Sequence, residues 1–311
     1  MVARLAVLPA IEASSKATLV AAASLSGPVP DPWAKATVVD YEAVIDHPDV
    51  EAIYLALPND MHRAWTIAAA AAGKHVLCEK PLAVSADEAR VMQAACNSSG
   101  TLLAEAWTTP FDPRWRHTMQ LATDGLVGDL TEINTAFTFT IGPERADNYR
   151  WSLDHGGGAL LDVGIYCLGP AVELWGSQPT AIDASVELAP SGVDATTTLR
   201  LTWPSGQVAR ARVSFVQTEQ QRLEIVGTTG RIVLDGDAHT GGPNAKRIRV
   251  ESDPATSAAP EHSIDVEPGD PYLGMIDAFA AAVRGSQRWP RPVERSIDML
   301  ELLSQIRTSA S

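Results

Sequence analysis

The sequence predicts an α/β protein in two parts: a doubly wound parallel sheet, then an α+β domain with an open, mostly antiparallel sheet. Three observations predict it. Between Asp40 and Ala106, short apolar runs alternate with helical stretches in units of about 25 residues, as parallel strands joined by helices do. The run Ala52-Ile53-Tyr54-Leu55-Ala56-Leu57 is apolar nearly throughout, as expected of a strand covered on both faces. From Leu130 the pattern becomes a two-residue alternation, clearest in Thr131 to Thr140 and Thr197 to Trp203, which marks strands with one wetted face.

Taken in order, Ala6 to Ala13 reads as an amphipathic helix with Leu5, Leu8 and Ile11 on one face, and Thr18 to Ala23 as a buried strand ended by Ser24 to Pro28. Asp40 is placed to cap a helix from Tyr41 to His47. A strand over Val50 to Leu57 turns out through Pro58-Asn59-Asp60-Met61-His62 into a helix from Arg63 to Ala72, closed by Gly73. The next strand is Val76 to Cys78, Ser85 caps a helix through Cys96, and Thr101 to Ala106 is a strand. The stretch Trp107 to Arg116 leaves this pattern, so the boundary falls there, giving a first domain of residues 1–107 and a second of 108–311.

In the second domain a helix from about Gly157 to Trp175 is expected. Strands are expected at Leu130 to Thr140, Ala181 to Leu188, Ala195 to Trp203, Val208 to Val216, Arg222 to Val226, Arg231 to Leu234 and Ile248 to Val250. Ser252 to Pro260 reads as a mobile loop. Helices at Tyr272 to Arg284 and Val293 to Arg307 could pack back on the first domain.

Composition narrows the function classes. The 311 residues carry 24 basic and 38 acidic side chains, a net charge of -14, which repels phosphate backbones and argues against a nucleic-acid partner. No apolar run approaches the roughly 20 residues needed to cross a membrane. Pro9 and Glu12 cut short the apolar segment at Met1 to Ile11, and no small-residue cleavage pattern follows. Cys78, Cys96 and Cys167 fit neither a disulfide framework nor a zinc spacing. The expectation is a cytoplasmic protein with no metal.

Two stretches have the makings of a site. In His75-Val76-Leu77-Cys78-Glu79-Lys80-Pro81 an apolar strand delivers an acid, an amine and a rigid turn to one spot, and parallel sheets bind ligands outside the carboxyl ends of their strands. Alone, the tripeptide could equally be a strand end with its lysine in solvent. The second stretch is Asn148-Tyr149-Arg150-Trp151 followed by Gly156-Gly157-Gly158-Ala159-Leu160-Leu161-Asp162-Val163-Gly164-Ile165-Tyr166. The glycines allow a tight backbone lead into a helix whose free amides could face a ligand. Asp162 and Tyr166, four apart, share a helical face. As an isolated pair, they could simply satisfy each other within the core.

Together these motifs resemble the glucose-fructose oxidoreductase and inositol dehydrogenase family (GFO/IDH/MocA). The resemblance rests on Glu79-Lys80-Pro81 after Ala-Gly-Lys-His-Val-Leu-Cys, on Pro58-x-x-x-His62 before it, and on Gly-Gly-Gly-x-x-x-Asp-x-Gly-x-Tyr after it. Tyr166 stands where histidine is commoner, as in the dihydrodiol dehydrogenase branch. The resemblance implies a Rossmann domain that binds NAD or NADP, then a domain whose open sheet makes dimer or higher homo-oligomer contacts. It implies hydride transfer between nicotinamide and a secondary alcohol or carbonyl of a small sugar, polyol or diol. Lys80, Asp162 and Tyr166 would be catalytic, with Tyr166 the acid/base, Lys80 its electrostatic partner and Asp162 a hydrogen-bond partner for substrate. Glu79 would hold the nicotinamide ribose, and Leu57, Pro58, Asn59 and His62 would line the cofactor cleft with Lys80. Arg150 and Trp151 would face the substrate.

The sequence departs from the family pattern in two places. Residues 1–24 contain no glycine, so the first strand and the glycine-rich phosphate loop are missing; a gene start some 20 to 30 residues upstream would supply them. Alternatively the protein is genuinely short and binds cofactor poorly or not at all; the rival functions are a glycosidase of this fold that uses NAD transiently and a cofactor-free binding or regulatory protein. After the strand ending at Ala23, Ser24 and Leu25 stand where an acid would favour NAD and an arginine NADP. Ser24 excludes no phosphate, and the choice leans to NADP.

Overall fold

The computed structural model describes residues 2–24, 37–38, 40–142, 145, 147–241, 246–252 and 261–310. The expectations for Leu25 and for the 253–260 loop lie outside them. The chain divides into two compact units, one of Met1–Trp107 and Tyr272–Ile297, the other of Thr108–Pro271 and Asp298–Ser311. Among the described residues no helix is long and apolar enough to cross a membrane.

The first unit opens with a π-helical segment, Ala3–Val7, that runs into α1 (Leu8–Ala13). Its wider turn breaks the 3.6-residue period. The inward positions are therefore Val7 and Ala10, while Leu5 is 68% exposed, so the expected stripe of Leu5, Leu8 and Ile11 is corrected. Of the expected strand from Thr18 to Ala23, only β1 (Ala21–Ala22) makes a ladder, parallel to β2 (Thr37–Val38). Asp40 caps α2 (Tyr41–Asp46) by accepting the Ala43 N–H at 2.7 Å.

A second parallel sheet in this unit consists of β3 (Ala52–Leu55), β4 (His75–Glu79) and β5 (Leu103–Ala106), in that order. Parallel neighbours need a crossover. Here α3 (His62–Ala71) and α4 (Ala86–Ser99) supply it. Ser85 caps α4 through the Glu88 N–H, and Gly100 ends it at φ 66°. The continuous apolar strands thus sit central and buried, with their carboxyl ends side by side. Near the C-terminus α7 (Pro271–Val283) belongs to this unit from Tyr272 onward, and α8 (Val293–Ser309) begins in it and ends in the second. Ser14 of the first unit donates to Asp277 of α7 at 2.5 Å.

The second unit begins with α5 (Pro113–Thr123), capped by Asp112 on the Trp115 N–H at 3.0 Å. Its main sheet has eight strands. These are β6 (Leu130–Thr140), β7 (Ala181–Leu188), β8 (Asp194–Thr202), β9 (Val208–Ser214), β10 (Val216–Gly227), β11 (Gly230–Asp235), β12 (Lys246–Ser252) and β13 (His262–Val266). Their order is β13-β12-β11-β10-β6-β9-β8-β7, antiparallel except for the β6 and β9 pair. The helix α6 (Ala159–Trp175) covers one face, tied to β6 where Thr135 donates to the Cys167 carbonyl at 3.1 Å. Along the opposite face, one cross-strand row reads Asp183, Arg200, Arg210, Asn134, Glu224. This polar row is why the strands alternate in sequence.

Candidate active site

In the first unit, the turns after β3 and β4 are fastened to each other. The His62 ring lies 3.0 Å from the Leu57 carbonyl oxygen through Nε2 and 3.0 Å from the Pro81 carbonyl oxygen through Nδ1. Burial lowers its pKa, against the pull of those carbonyls. The ring is sealed from solvent, and His62 joins the two turns. Asn59 is buried as well, whereas Leu57, Pro58, Glu79 and Lys80 are partly exposed around the same strand ends. Ser24, just past β1, is exposed.

Glu79, the last residue of β4, accepts a short hydrogen bond from the Tyr54 hydroxyl of β3 and another from the Lys80 N–H at 3.2 Å. Burial raises the Glu79 pKa, and Tyr54 and Lys80 partly offset it. The Tyr54 phenol is pushed well up by burial and then by the Glu79 charge, so it stays a donor. Tyr54 escaped the sequence reading because a phenol looks apolar inside an apolar run; its polar tip was the available signal. Burial also raises the Cys78 thiol well above its ordinary value, which makes it an inert core residue.

In the second unit, a 3₁₀ turn over Tyr149–Trp151 sets Arg150 against α6. Arg150 Nε donates to Asp162 Oδ2 at 2.6 Å and Nη2 to Oδ1 at 3.4 Å, forming a two-pronged ion pair. Burial opposes the Arg150 charge, but Asp162, Tyr149 and Tyr166 raise its pKa on balance. The sequence put Asp162 and Tyr166 on one helical face, and the fold brings Arg150 into their electrostatic neighbourhood. Trp151 packs edge-to-face on Phe215, 5.6 Å between ring centroids.

The glycines act differently from expectation. Gly157 donates to the Ser152 carbonyl at 2.8 Å and Gly158 to the Arg150 carbonyl at 3.0 Å. In the first turn of the helix, Asp194 Oδ2 takes the Leu160 N–H at 2.6 Å. The amides of Gly157, Gly158 and Leu160 are therefore used within the chain rather than turned to a ligand. A Cβ on Gly157 would lie 2.4 Å from the Arg150 carbonyl oxygen, and one on Gly158 would lie 2.1 Å from Asp194 Oδ1. Glycine permits the close approach that aims Arg150 at Asp162.

Tyr166 is nearly buried, with its ring 5.3 Å from Phe137 and 6.5 Å from His239. His239 stacks on Phe137, and its Nε2 lies 3.1 Å from both the Ala136 and Arg222 carbonyl oxygens. Both partners are acceptors, so the proton sits on Nε2. Burial lowers the His239 pKa to about 4, leaving a neutral imidazole beside the phenol.

Comparison with known proteins decides the family. Residues 5–106 match the oxidoreductase family with an NAD-binding Rossmann fold, and residues 115–233 match the GFO/IDH/MocA C-terminal domain. An uncharacterized oxidoreductase, ORF334, of Rhizobium meliloti is 31% identical over 272 residues, 87% of this chain and 80% of that protein. The chain belongs to the GFO/IDH/MocA oxidoreductase family. Another relative, D-xylose 1-dehydrogenase (NADP(+)) 2 of Haloferax volcanii, is 30% identical over 270 residues, covering 87% of this chain and 81% of that one. Among solved structures, the 3-ketoreductase KijD10 of Actinomadura kijaniata, in complex with NADP and TDP-benzene, superposes with a TM-score of 0.87 at 26% identity. That match covers 99% of this chain and 94% of KijD10. As a GFO/IDH/MocA member the chain is an NAD(P)-dependent oxidoreductase, and the β3 to β5 sheet belongs to its Rossmann domain. The residues present fit the nicotinamide end of such a cofactor, because Pro58, Glu79 and Lys80 stand at adjacent carboxyl ends that His62 locks together.

Proposed function

We propose that the chain interconverts a secondary alcohol and a carbonyl on a small sugar, polyol or diol, with NADP preferred over NAD. The bound dinucleotide supplies the hydride acceptor or donor. Tyr166 moves the hydroxyl proton, Lys80 stabilises the charge that develops on the reacting oxygen, and Asp162 orients the substrate. Glu79 holds the nicotinamide ribose, with Leu57, Pro58, Asn59 and His62 beside it. Arg150 and Trp151 face the substrate.

The observation that carries this reading is the second-unit cluster in which Asp162 is held by Arg150 at 2.6 Å one helical turn from Tyr166. Arg150 lies within electrostatic reach of the Tyr166 phenol, the group proposed as acid and base. Proton transfer from an alcohol needs such a base. Ser24 bears no charge that would repel a 2′-phosphate, and both the xylose dehydrogenase and KijD10 are described with NADP. The charged open face of the β6 to β13 sheet is the surface proposed for homo-oligomer contacts. Three unpaired thiols, Cys78, Cys96 and Cys167, support a cytoplasmic setting.

The test is turnover by purified protein against sugars, polyols and diols with NADP or NAD. Reduction of NADP by at least one of them is expected. Glycoside cleavage without net change in nicotinamide absorbance, or folded protein that binds neither dinucleotide by calorimetry, would overturn the reading.

A further inference from the structure

We propose that Glu105 is a positioning residue for Lys80, acting through the peptide that follows Pro81. The proposal rests on the role given above to Lys80. Lys80 leaves β4 on a turn whose next two residues are held by side chains of α3, β4 and β5. His62 Nδ1 lies 3.0 Å from the Pro81 carbonyl oxygen, Cys78 donates to the Leu82 carbonyl at 3.7 Å, and Glu105 Oε1 accepts the Leu82 N–H at 2.9 Å. Of these only Glu105 carries the constraint far along the sequence. Its Oε2 accepts from Arg291 Nη1 at 2.8 Å and from Ser296 Oγ at 2.6 Å. Arg291 donates in turn to the Arg295 carbonyl at 3.1 Å and lies 4.9 Å from the centroid of the Trp107 ring. All of these residues belong to the first unit.

Glu105, Arg291 and Ser296 are only 5%, 9% and 2% exposed. Taking two charges out of water costs several kcal/mol per ion, and apolar residues of similar shape often hold a fold at least as well. Stability alone therefore does not call for a carboxylate here. A carboxylate does provide a directional, charge-assisted bond to one chosen amide, that of Leu82, two residues past the lysine. A side chain with four rotatable bonds can only be placed as well as the backbone it leaves. Displacement of a reacting group by about 1 Å can cost on the order of a hundredfold in rate.

The chain has five lysines, so reductive ¹³C-methylation gives an NMR spectrum with few signals. The Lys80 signal is identified by its loss in Lys80→Arg, and Lys16 is the reference. In Glu105→Gln the shape is kept, but an amide donor replaces one acceptor oxygen. The Lys80 resonance is expected to shift and broaden while Lys16 stays, and kcat to fall about tenfold to a hundredfold. Ser296→Ala, which leaves the ion pair in place, should move the Lys80 resonance less and in the same direction, and it decides the matter if Glu105→Gln does not fold. A Lys80 resonance unmoved in the folded variants, even with a lowered Tm, would overturn the proposal and leave Glu105 a purely structural residue. Full turnover in Lys80→Arg would instead remove the role given to Lys80, and the resonance would still report whether Glu105 places it.

Discussion

The two units hold their candidate site residues by opposite means. At the carboxyl ends of β3, β4 and β5, side chains hold backbone: His62 spans two carbonyls and Glu105 takes the Leu82 amide. At the start of α6, backbone holds side chains: Gly157 lets the Arg150 turn approach so closely that its guanidinium meets Asp162. The first construction tolerates side-chain changes poorly and backbone changes better. For the second the reverse holds, because its geometry depends on a missing Cβ.

Four substitutions or conditions would break or sharpen this contrast. The largest effect is expected from Lys80→Ala, with turnover falling about a thousandfold and the unfolding midpoint in urea hardly changed; kinetics and denaturation on the same preparation check it. Next, Gly158→Ala should destabilise the second half by about 3 kcal/mol, because a Cβ there meets Asp194 and φ is 112°. Chemical denaturation reads the loss directly. A Gly158→Ala protein of unchanged stability would remove the close-approach argument.

A third effect depends on pH. The folded-state pKa of His239, about 4, lies below its ordinary value of 6.5, so the unfolded chain binds a proton that the folded chain refuses. This contribution is fully present above pH 6.5 and is lost as pH falls towards 4, by up to about 3 kcal/mol. The buried His62, whose pKa is also lowered, adds in the same direction. Unfolding free energies at neutral and acid pH should show the slope, and His239→Gln should flatten it. The smallest effect is expected from Arg150→Lys, which keeps the charge but loses the two-pronged geometry. Its KM for substrate should rise about tenfold, roughly 1.4 kcal/mol, with NADP binding unaltered.

The same contrast explains what the sequence made legible. Glu79-Lys80-Pro81 was readable because a strand, its end and its turn occupy consecutive residues. Asp162 and Tyr166 were readable because the helical period puts them on one face. The Arg150 to Asp162 pair is twelve residues apart across a non-repeating turn, so its members were visible and their bond was not. The α6 amides were misassigned because sequence spacing shows that glycines permit close approach, but not to what. Glu105 and Arg291 are separated by 186 positions, and no local pattern joins them. The α5 helix was missed because Trp107 to Arg116 stood only as a break in the pattern, although Pro113 is well suited to a first helical position. The π-helical start of α1 hid its inward face by changing the period.

The account depends most on the phenol of Tyr166 carrying the proton while hydride moves. Single-turnover hydride transfer in Tyr166→Phe, with NADP affinity measured by calorimetry on the same protein, tests this most directly. We predict a loss of about a hundredfold to ten-thousandfold in the transfer rate with cofactor affinity unchanged. A phenylalanine variant that transfers hydride at the rate of the unaltered protein would contradict it.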